Sequence, residues 1–120
     1  MKKRFYIFIA ALCLALPAKA EVFVEGLEDV PIADGMKQIP NDSISFGNEE
    51  SRLVEAMLTS TRVGFKKVEQ FYTNTLPHMG WVYQGKRDKT LVFEREQEVL
   101  EIACESEKPL MVRLTAKSKL

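Results

Sequence analysis

Apolar and polar residues alternate along most of the C-terminal third of the chain. The alternation runs through residues 81–84, 91–94, 99–105 and 110–117, and charged or turn-forming residues separate these segments. A period of two places successive side chains on opposite faces of a strand. Such a segment has one covered face and one face in water, as in antiparallel sheets. The pattern therefore predicts four antiparallel strands.

A second period, close to that of a helix, marks the segment before these strands. Its apolar residues recur at i, i+3, i+7 and i+11: Phe65, Val68, Tyr72 and Leu76. This spacing predicts an amphipathic helix with one buried stripe. Gly64 is the expected N-cap, and Pro77 ends the helix because it disfavours helical geometry at the preceding residue. Gly80 then supplies the positive φ needed to turn into the next strand.

Two further strands are predicted before the helix. Alternating residues near 43–46 and 52–59, with a polar turn between them, are typical of a hairpin. The resulting order over residues 43–120 is β-β-α-β-β-β-β. We therefore expect an α+β fold, in which a twisted antiparallel sheet has one helix packed across one face, in a single small domain.

Residues 21–42 form a different kind of segment, which we call the arm. Its two prolines, two glycines and lack of a sustained period predict an extended or turn-rich apolar arm that forms no regular strand or helix of its own. The arm is too apolar for ordinary disorder, so we expect it to pack either on its own sheet edge or on a partner protein. The candidate partner contacts lie in its middle: Val30, Pro31, Ile32, Gly35 and Met36.

The first 20 residues have the three parts of an export signal. Residues 2–4 are basic, residues 5–16 are uncharged and apolar, and residues 18–20 fit a signal peptidase site. The apolar run is shorter than the roughly 20 residues that span a membrane, which favours a cleaved signal peptide, residues 1–20, over an anchor. Cys13 follows a bulky leucine, which argues against its lipidation. We expect an exported protein, periplasmic or alternatively secreted, with no transmembrane segment in the mature chain.

Removal of the signal peptide changes the charge balance. The whole chain has 17 basic and 17 acidic residues, and four of the basic ones leave with the signal, so the mature chain has a net charge of −4. This sign argues against nucleic acid and anionic membranes as partners. The mature chain keeps one cysteine, Cys104. Because it has no partner for an internal disulfide, the hydrophobic core must stabilise the fold.

The sequence offers few candidates for catalysis or metal binding. His78 is the only histidine, whereas nucleophilic triads and zinc sites combine several such groups. We therefore expect no catalytic residue, no metal site and no cofactor. Four glutamates are predicted on the water-facing side of the sheet: Glu94, Glu96, Glu101 and Glu105. A pair of carboxylates suits a hydrolase, but an open face does not raise a carboxyl pKa by desolvation, so a solvated acidic face is favoured.

Aromatic residues lie where the helix is predicted to meet the next strand. Phe71 and Tyr72 belong to the helix, and Trp81 and Tyr83 belong to the strand. Aromatic residues at helix and strand spacing are typical of a core. The alternative is that they line a ligand cleft.

The stretch from Phe71 to Trp81, FYTNTLPHMGW, resembles a helix-to-strand signature of a group of short exported bacterial envelope proteins. Val30-Pro31, Gly35-Met36 and residues 52–56 resemble companion motifs of that group. The resemblance covers most of residues 29–102. It implies the same architecture and an envelope location, and it implies no particular activity.

Two functions are consistent with these patterns. The first is a non-enzymatic envelope module that binds another exported protein through the arm or through an exposed sheet edge. The alternative is a small hydrolase or ligand-binding protein that uses the acidic sheet face or the aromatic helix–sheet junction. The alternative requires a concave pocket with converging polar groups. We favour the first function.

Overall fold

A computed structural model of the chain describes residues 22–40, 44–47 and 52–119. The predicted signal peptide, residues 1–20, and most of the predicted turn that follows the first hairpin strand lie outside these ranges. Within them, no helix has both the length and the apolar character needed to cross a membrane.

The described residues contain nine strands, one α-helix and one 3-10 helix. In chain order they are β1 (Phe23–Val24), β2 (Leu27–Pro31), β3 (Lys37–Gln38), β4 (Ile44–Gly47), β5 (Arg52–Ser60), α1 (Phe65–Thr75), the 3-10 helix (Leu76–Met79), β6 (Val82–Arg87), β7 (Thr90–Arg95), β8 (Glu98–Glu107) and β9 (Leu110–Ser118). From β4 onward the order is β-β-α-β-β-β-β, as predicted.

Seven of these strands form one antiparallel sheet. Its order is β3-β5-β9-β8-β7-β6, and β4 also pairs with β5. Strand β5, next to the edge formed by β3 and β4, pairs with β9, with Leu53 opposite Lys117 and Ser60 opposite Leu110. Strands β1 and β2 pair separately as a two-stranded sheet. The predicted α+β fold, an antiparallel sheet with one helix across it in a single domain, is confirmed.

One face of the large sheet is buried, and we call it the inner face. Side chains from four neighbouring strands meet there without exposed surface: Leu58, Val112, Ile102 and Leu91. The helix covers this face with Val68 and Tyr72, and Leu76 of the following 3-10 helix extends the same apolar stripe. Burial of each large apolar side chain contributes about 1.5–3 kcal/mol to stability. This packing holds α1 in place although its first turn carries two lysines and no acidic residue.

Helix α1 follows the prediction at its N-terminus and differs slightly at its C-terminus. Gly64 is the N-cap, in an extended conformation and without a side-chain capping bond. The α-helix ends at Thr75, and a 3-10 turn that includes Pro77 continues to Met79. Pro77 lies near the start of this turn, where its missing N–H is not needed. Gly80 then adopts φ +91°, the left-handed conformation expected for it.

The arm contains regular structure, so the prediction that it forms no strand is wrong. Strands β1 and β2 make a short hairpin, and β3 pairs with β5 at the edge of the large sheet. The reason is that the glycine and proline residues of the arm lie at or near the ends of these short strands and do not interrupt a long strand. Gly26 lies in the hairpin turn with φ +95°, and Pro31 is the last residue of β2.

The hairpin of the arm packs on the inner face beside α1. Val24, Leu27 and Val30 are buried in the same core cluster as the helix and the sheet. The Tyr72 hydroxyl donates a hydrogen bond of 2.7 Å to the Pro31 carbonyl oxygen. Burial raises the pKa of the Tyr72 hydroxyl, so this group stays protonated as a donor. The inner face is thus covered by two elements, the helix and the arm hairpin.

Candidate functional site

The structure places most of the predicted contact segment inside the domain. Val30 and Pro31 are buried, Met36 is 8% exposed, and Ile32 is half-buried against the core. Of the five residues, Gly35 alone is exposed. The arm packs on its own domain through these side chains, and its contact with a partner stays a prediction.

Gly35 borders a shallow groove of about 390 Å³ between the arm and α1. Arg62 and Lys67 provide cations on one side, and Asp34 provides a carboxylate on the other. Phe71, half-buried, contributes an apolar wall. The described residues show no buried polar side chain directed into this groove, so it is a surface depression between two packed elements.

The opposite side of the large sheet, the outer face, was predicted to be acidic, and it carries mixed charge. Arg113 lies 3.3 Å from Glu105 and 3.5 Å from Glu55. Lys117 lies 3.7 Å from Glu101. These ion pairs join three neighbouring strands and neutralise the carboxylates that a hydrolase would need. The sequence pattern identified the glutamates but not the basic residues that approach them.

The other two predicted glutamates lie apart from this network. Glu94 pairs with Lys119 at 3.0 Å. Glu96 is exposed in the tight turn between β7 and β8, where it adopts φ +52°. The four glutamates therefore do not form one acidic surface.

Two apolar residues of the outer face are almost fully buried although the helix and the arm both pack on the inner face. Met57 is 6% exposed and Val92 is 7% exposed. Met57 lies opposite Arg113, and Val92 lies opposite Glu101. The aliphatic parts of long charged side chains cover apolar surface in this way. We therefore attribute the low exposure of Met57 and Val92 to the charged side chains that lie opposite them on the outer face.

The free edge of the sheet at β6 presents a different surface. Among the described strands, β6 pairs only with β7. Val82 is 60% exposed and Tyr83 is 38% exposed, which is unusual for large apolar residues in this chain. The pairing shifts register between Tyr83 and Gly85, where the strand bulges. Bulges and basic residues such as Lys86 and Arg87 are common devices that limit edge-to-edge aggregation.

A groove of about 800 Å³ runs between this edge strand and α1. Phe65, Lys66 and Glu69 line its helix side, and Tyr83 and Lys86 line its sheet side. The Tyr83 ring packs against the buried Phe93 ring, with 5.0 Å between their centroids. The groove has an apolar floor and polar rims, and it opens along the free edge of β6.

The groove contains more cations than anions. The Nζ atom of Lys86 lies 3.2 Å from a Glu69 carboxylate oxygen. At one end Lys89 and Glu107 form an ion pair. Their hydrogen bond raises the pKa of Lys89 and lowers that of Glu107. Lys66 forms no ion pair with the described residues and adds an unbalanced positive charge.

Cys104 lies near this groove but is not organised as a nucleophile. It is half-buried against the core, and its Sγ lies 3.6 Å from the Ser106 carbonyl oxygen. Burial, and secondarily the Glu107 carboxylate, raise the pKa of the thiol. A raised pKa keeps the thiol protonated and unreactive at neutral pH. The strand register shifts between Cys104 and Ser106, next to the half-buried thiol.

The remaining candidates of the sequence analysis lie at the junction between α1 and β6. Trp81 is 2% exposed and Tyr72 has no exposed surface, so these two residues of the predicted aromatic junction belong to the core, whereas Phe71 and Tyr83 line the two grooves. His78 is exposed in the 3-10 turn. In the described part of the chain, no group of three or more histidine, cysteine or acidic residues is placed to hold a metal ion.

Comparison of the chain with protein-family models, with curated proteins and with solved structures finds no match. Among the described surfaces, the free edge of β6 and its groove are the most distinctive.

Proposed function

We propose that this chain is a small exported, non-enzymatic module that binds an extended segment of another exported protein along the free edge of β6. The observation that carries the proposal is the exposure of Val82 and Tyr83 on an edge strand that borders a groove. The arm, the other candidate surface, buries most of its apolar side chains in the core of its own domain and leaves Val22 and Phe23 exposed.

Binding at this edge follows the physics of strand addition. An extended segment placed about 4.8 Å from β6 would continue the antiparallel or parallel ladder with backbone hydrogen bonds. Its side chains would alternate between the two faces of the sheet. One set would enter the groove beside Tyr83 and Lys86, and the other would pack near Val82.

The same surface gives little support to the alternative function. The carboxylates that line the groove, Glu69 and Glu107, each pair with a lysine. The pairing lowers the pKa of Glu107, whereas a general acid needs a raised carboxyl pKa. The favoured ligand of this groove is therefore a polypeptide segment.

The test uses two exposed valines in different places. Val82→Lys places a charge in the proposed interface, and Val22→Lys places the same charge on the arm, where the residue is 65% exposed. Both changes should alter stability by less than about 0.5 kcal/mol because the side chains are exposed. Tagged mature protein and both variants are then used to capture partners from an envelope extract.

We expect Val82→Lys to lose partners that the wild type and Val22→Lys both retain. Hydrogen exchange of the captured complex should show slower exchange of β6 amides than in the free protein. Loss of partners in Val22→Lys but not in Val82→Lys would assign binding to the arm and contradict the proposal.

A further inference from the structure

We propose that the segment bound at β6 is acidic, with carboxylate side chains directed into the groove and apolar side chains directed to the outer face. This inference rests on the proposed function and specifies the chemistry of the partner. It follows from two features of the edge: the charges that line the groove and the bulge that places Val82 and Lys86 on opposite sides of β6.

The charge of the groove is complementary to carboxylates. Its lining contains Lys66, Lys86 and Lys89 against two glutamates, so one positive charge is unbalanced. The N-terminus of α1 opens into the same groove through Gly64, and the first helical turn contains no acidic residue. The helix dipole therefore adds positive potential to that of the lysines. The mature chain, in contrast, has a net charge of −4.

The bulge of β6 separates the two kinds of contact, because it places Val82 and Lys86, which are four residues apart, on opposite sides of the strand. Lys86 lies opposite the buried Leu91, so its side chain is on the inner side, where it reaches the groove. Val82 lies opposite Glu94, on the other side of the strand. A segment added to this edge would therefore meet lysine on one face and an exposed valine on the other. Alternating acidic and apolar residues satisfy both faces.

A second copy of this chain is a poorer occupant. Its own β6 carries Lys86 and Arg87, and β3, on the opposite edge of the sheet, carries Lys37. Pairing of β6 with a second β6 or with β3 would bring cations together, and neither these strands nor β4, which shares the edge with β3, supplies a carboxylate. Charge complementarity thus favours a different, acidic polypeptide.

The experiment uses two capped peptides as long as β6, one of alternating valine and glutamate and the other of alternating valine and glutamine. Isotope-labelled mature protein is titrated with each peptide, and NMR follows the backbone amides of β6. We expect the glutamate peptide to bind roughly fivefold or more tightly than the glutamine peptide at low salt. The difference should shrink as the Debye length falls from about 10 Å at 0.1 M to about 3 Å at 1 M salt.

Two lysine variants locate the effect. Lys66→Gln removes a cation of the groove without breaking an ion pair within the described residues, and it should weaken binding of the glutamate peptide by roughly twofold to fivefold. Lys37→Gln is the matched control, because it removes an exposed lysine from the other edge of the sheet. It should leave the affinity unchanged.

The outcomes separate the two proposals. Equal perturbation of β6 by both peptides, independent of salt, would overturn the acidic partner and leave strand addition in place. If neither peptide perturbs the β6 amides, both proposals fail. Protection of β6 that increases with protein concentration in the absence of peptide would assign the edge to a second copy and overturn the inference.

Discussion

The guanidinium carbon of Arg95 lies 4.2 Å from the centroid of the Trp81 indole ring. The same guanidinium donates a hydrogen bond of 3.1 Å to the Met79 carbonyl oxygen and forms an ion pair with Asp29 of β2. Its aliphatic part lies over Gly80, where an added Cβ would be 3.2 Å from Arg95 Cδ. One side chain at the end of β7 therefore joins the arm, the 3-10 turn and the sheet.

Replacement of this residue should destabilise the domain. We expect Arg95→Met to lower the free energy of unfolding by about 2 kcal/mol, because it removes a cation–π contact and a charged hydrogen bond while keeping apolar volume. Arg62→Met is the control, since Arg62 is exposed and its side chain forms no ion pair with the described residues. Urea unfolding measures both. Equal effects of the two changes would show that the contacts of Arg95 add nothing to stability.

The packing of the arm predicts that shortening one of its buried side chains strongly lowers the stability of the domain. Leu27 is 2% exposed in the core cluster, so Leu27→Ala should cost about 2–5 kcal/mol. Val22→Ala, at a residue that is 65% exposed, should change stability by less than about 0.5 kcal/mol. Thermal and urea unfolding of both variants give the measurement. A Leu27→Ala protein as stable as the wild type would mean that the arm does not pack on its own domain in solution.

The junction between α1 and β6 gives a third prediction. Trp81→Ala should cost about 3–5 kcal/mol because it empties a large part of the core. His78→Ala, three residues earlier, should stay within about 0.5 kcal/mol because the imidazole is exposed. The two variants are compared by urea unfolding. The opposite ranking would contradict the observed orientation of this turn.

Cys104 gives a prediction about pH. Because burial raises the pKa of its thiol in the folded state, the folded protein holds this proton more tightly than the unfolded chain does. The associated stability is present below the unfolded pKa of about 8.5 and is lost as pH rises through the folded pKa. Cys104→Ala should remove this part of the alkaline decline. Alkylation of the native thiol at neutral pH should also be slower than that of the urea-unfolded chain, and equal rates would argue against the half-buried position.

The sequence predicts those elements whose burial follows a simple period. The helix follows directly from the spacing of Phe65, Val68 and Tyr72, because apolar residues at this spacing lie on one side of a helix and are buried together. In the same way, β8 follows from the spacing of Leu100 and Ile102. These patterns sufficed for the fold and for the sequential order of its domain from β4 onward.

The arm and the groove were less accessible to sequence reasoning because they depend on contacts between distant residues. Gly26 and Pro31 predict an interruption of regular structure. In the fold, however, each lies at an end of β2, a strand too short to show a hydrophobic period. The groove depends on Lys86 approaching Glu69, 17 residues earlier in the chain. The charged residues near 86–89 are visible in the sequence, but the same pattern is typical of an ordinary solvent-exposed hairpin turn. The exposure of Val82, next to the buried Trp81, depends on the position of β6 at the edge of the sheet, and the sequence pattern does not give the strand order.

The pairing of β5 with β9 has a consequence for the time course of folding. It joins Leu53 to Lys117, 64 residues apart, in the large sheet. The neighbouring hairpins form from local contacts, whereas the pairing of β5 with β9 closes a long loop, whose entropic cost precedes any gain from packing. The hairpin of the arm packs on the inner face, and this face is complete only when β5 and β9 have paired. We therefore expect the long-range encounter of β5 with β9 to limit the rate of folding.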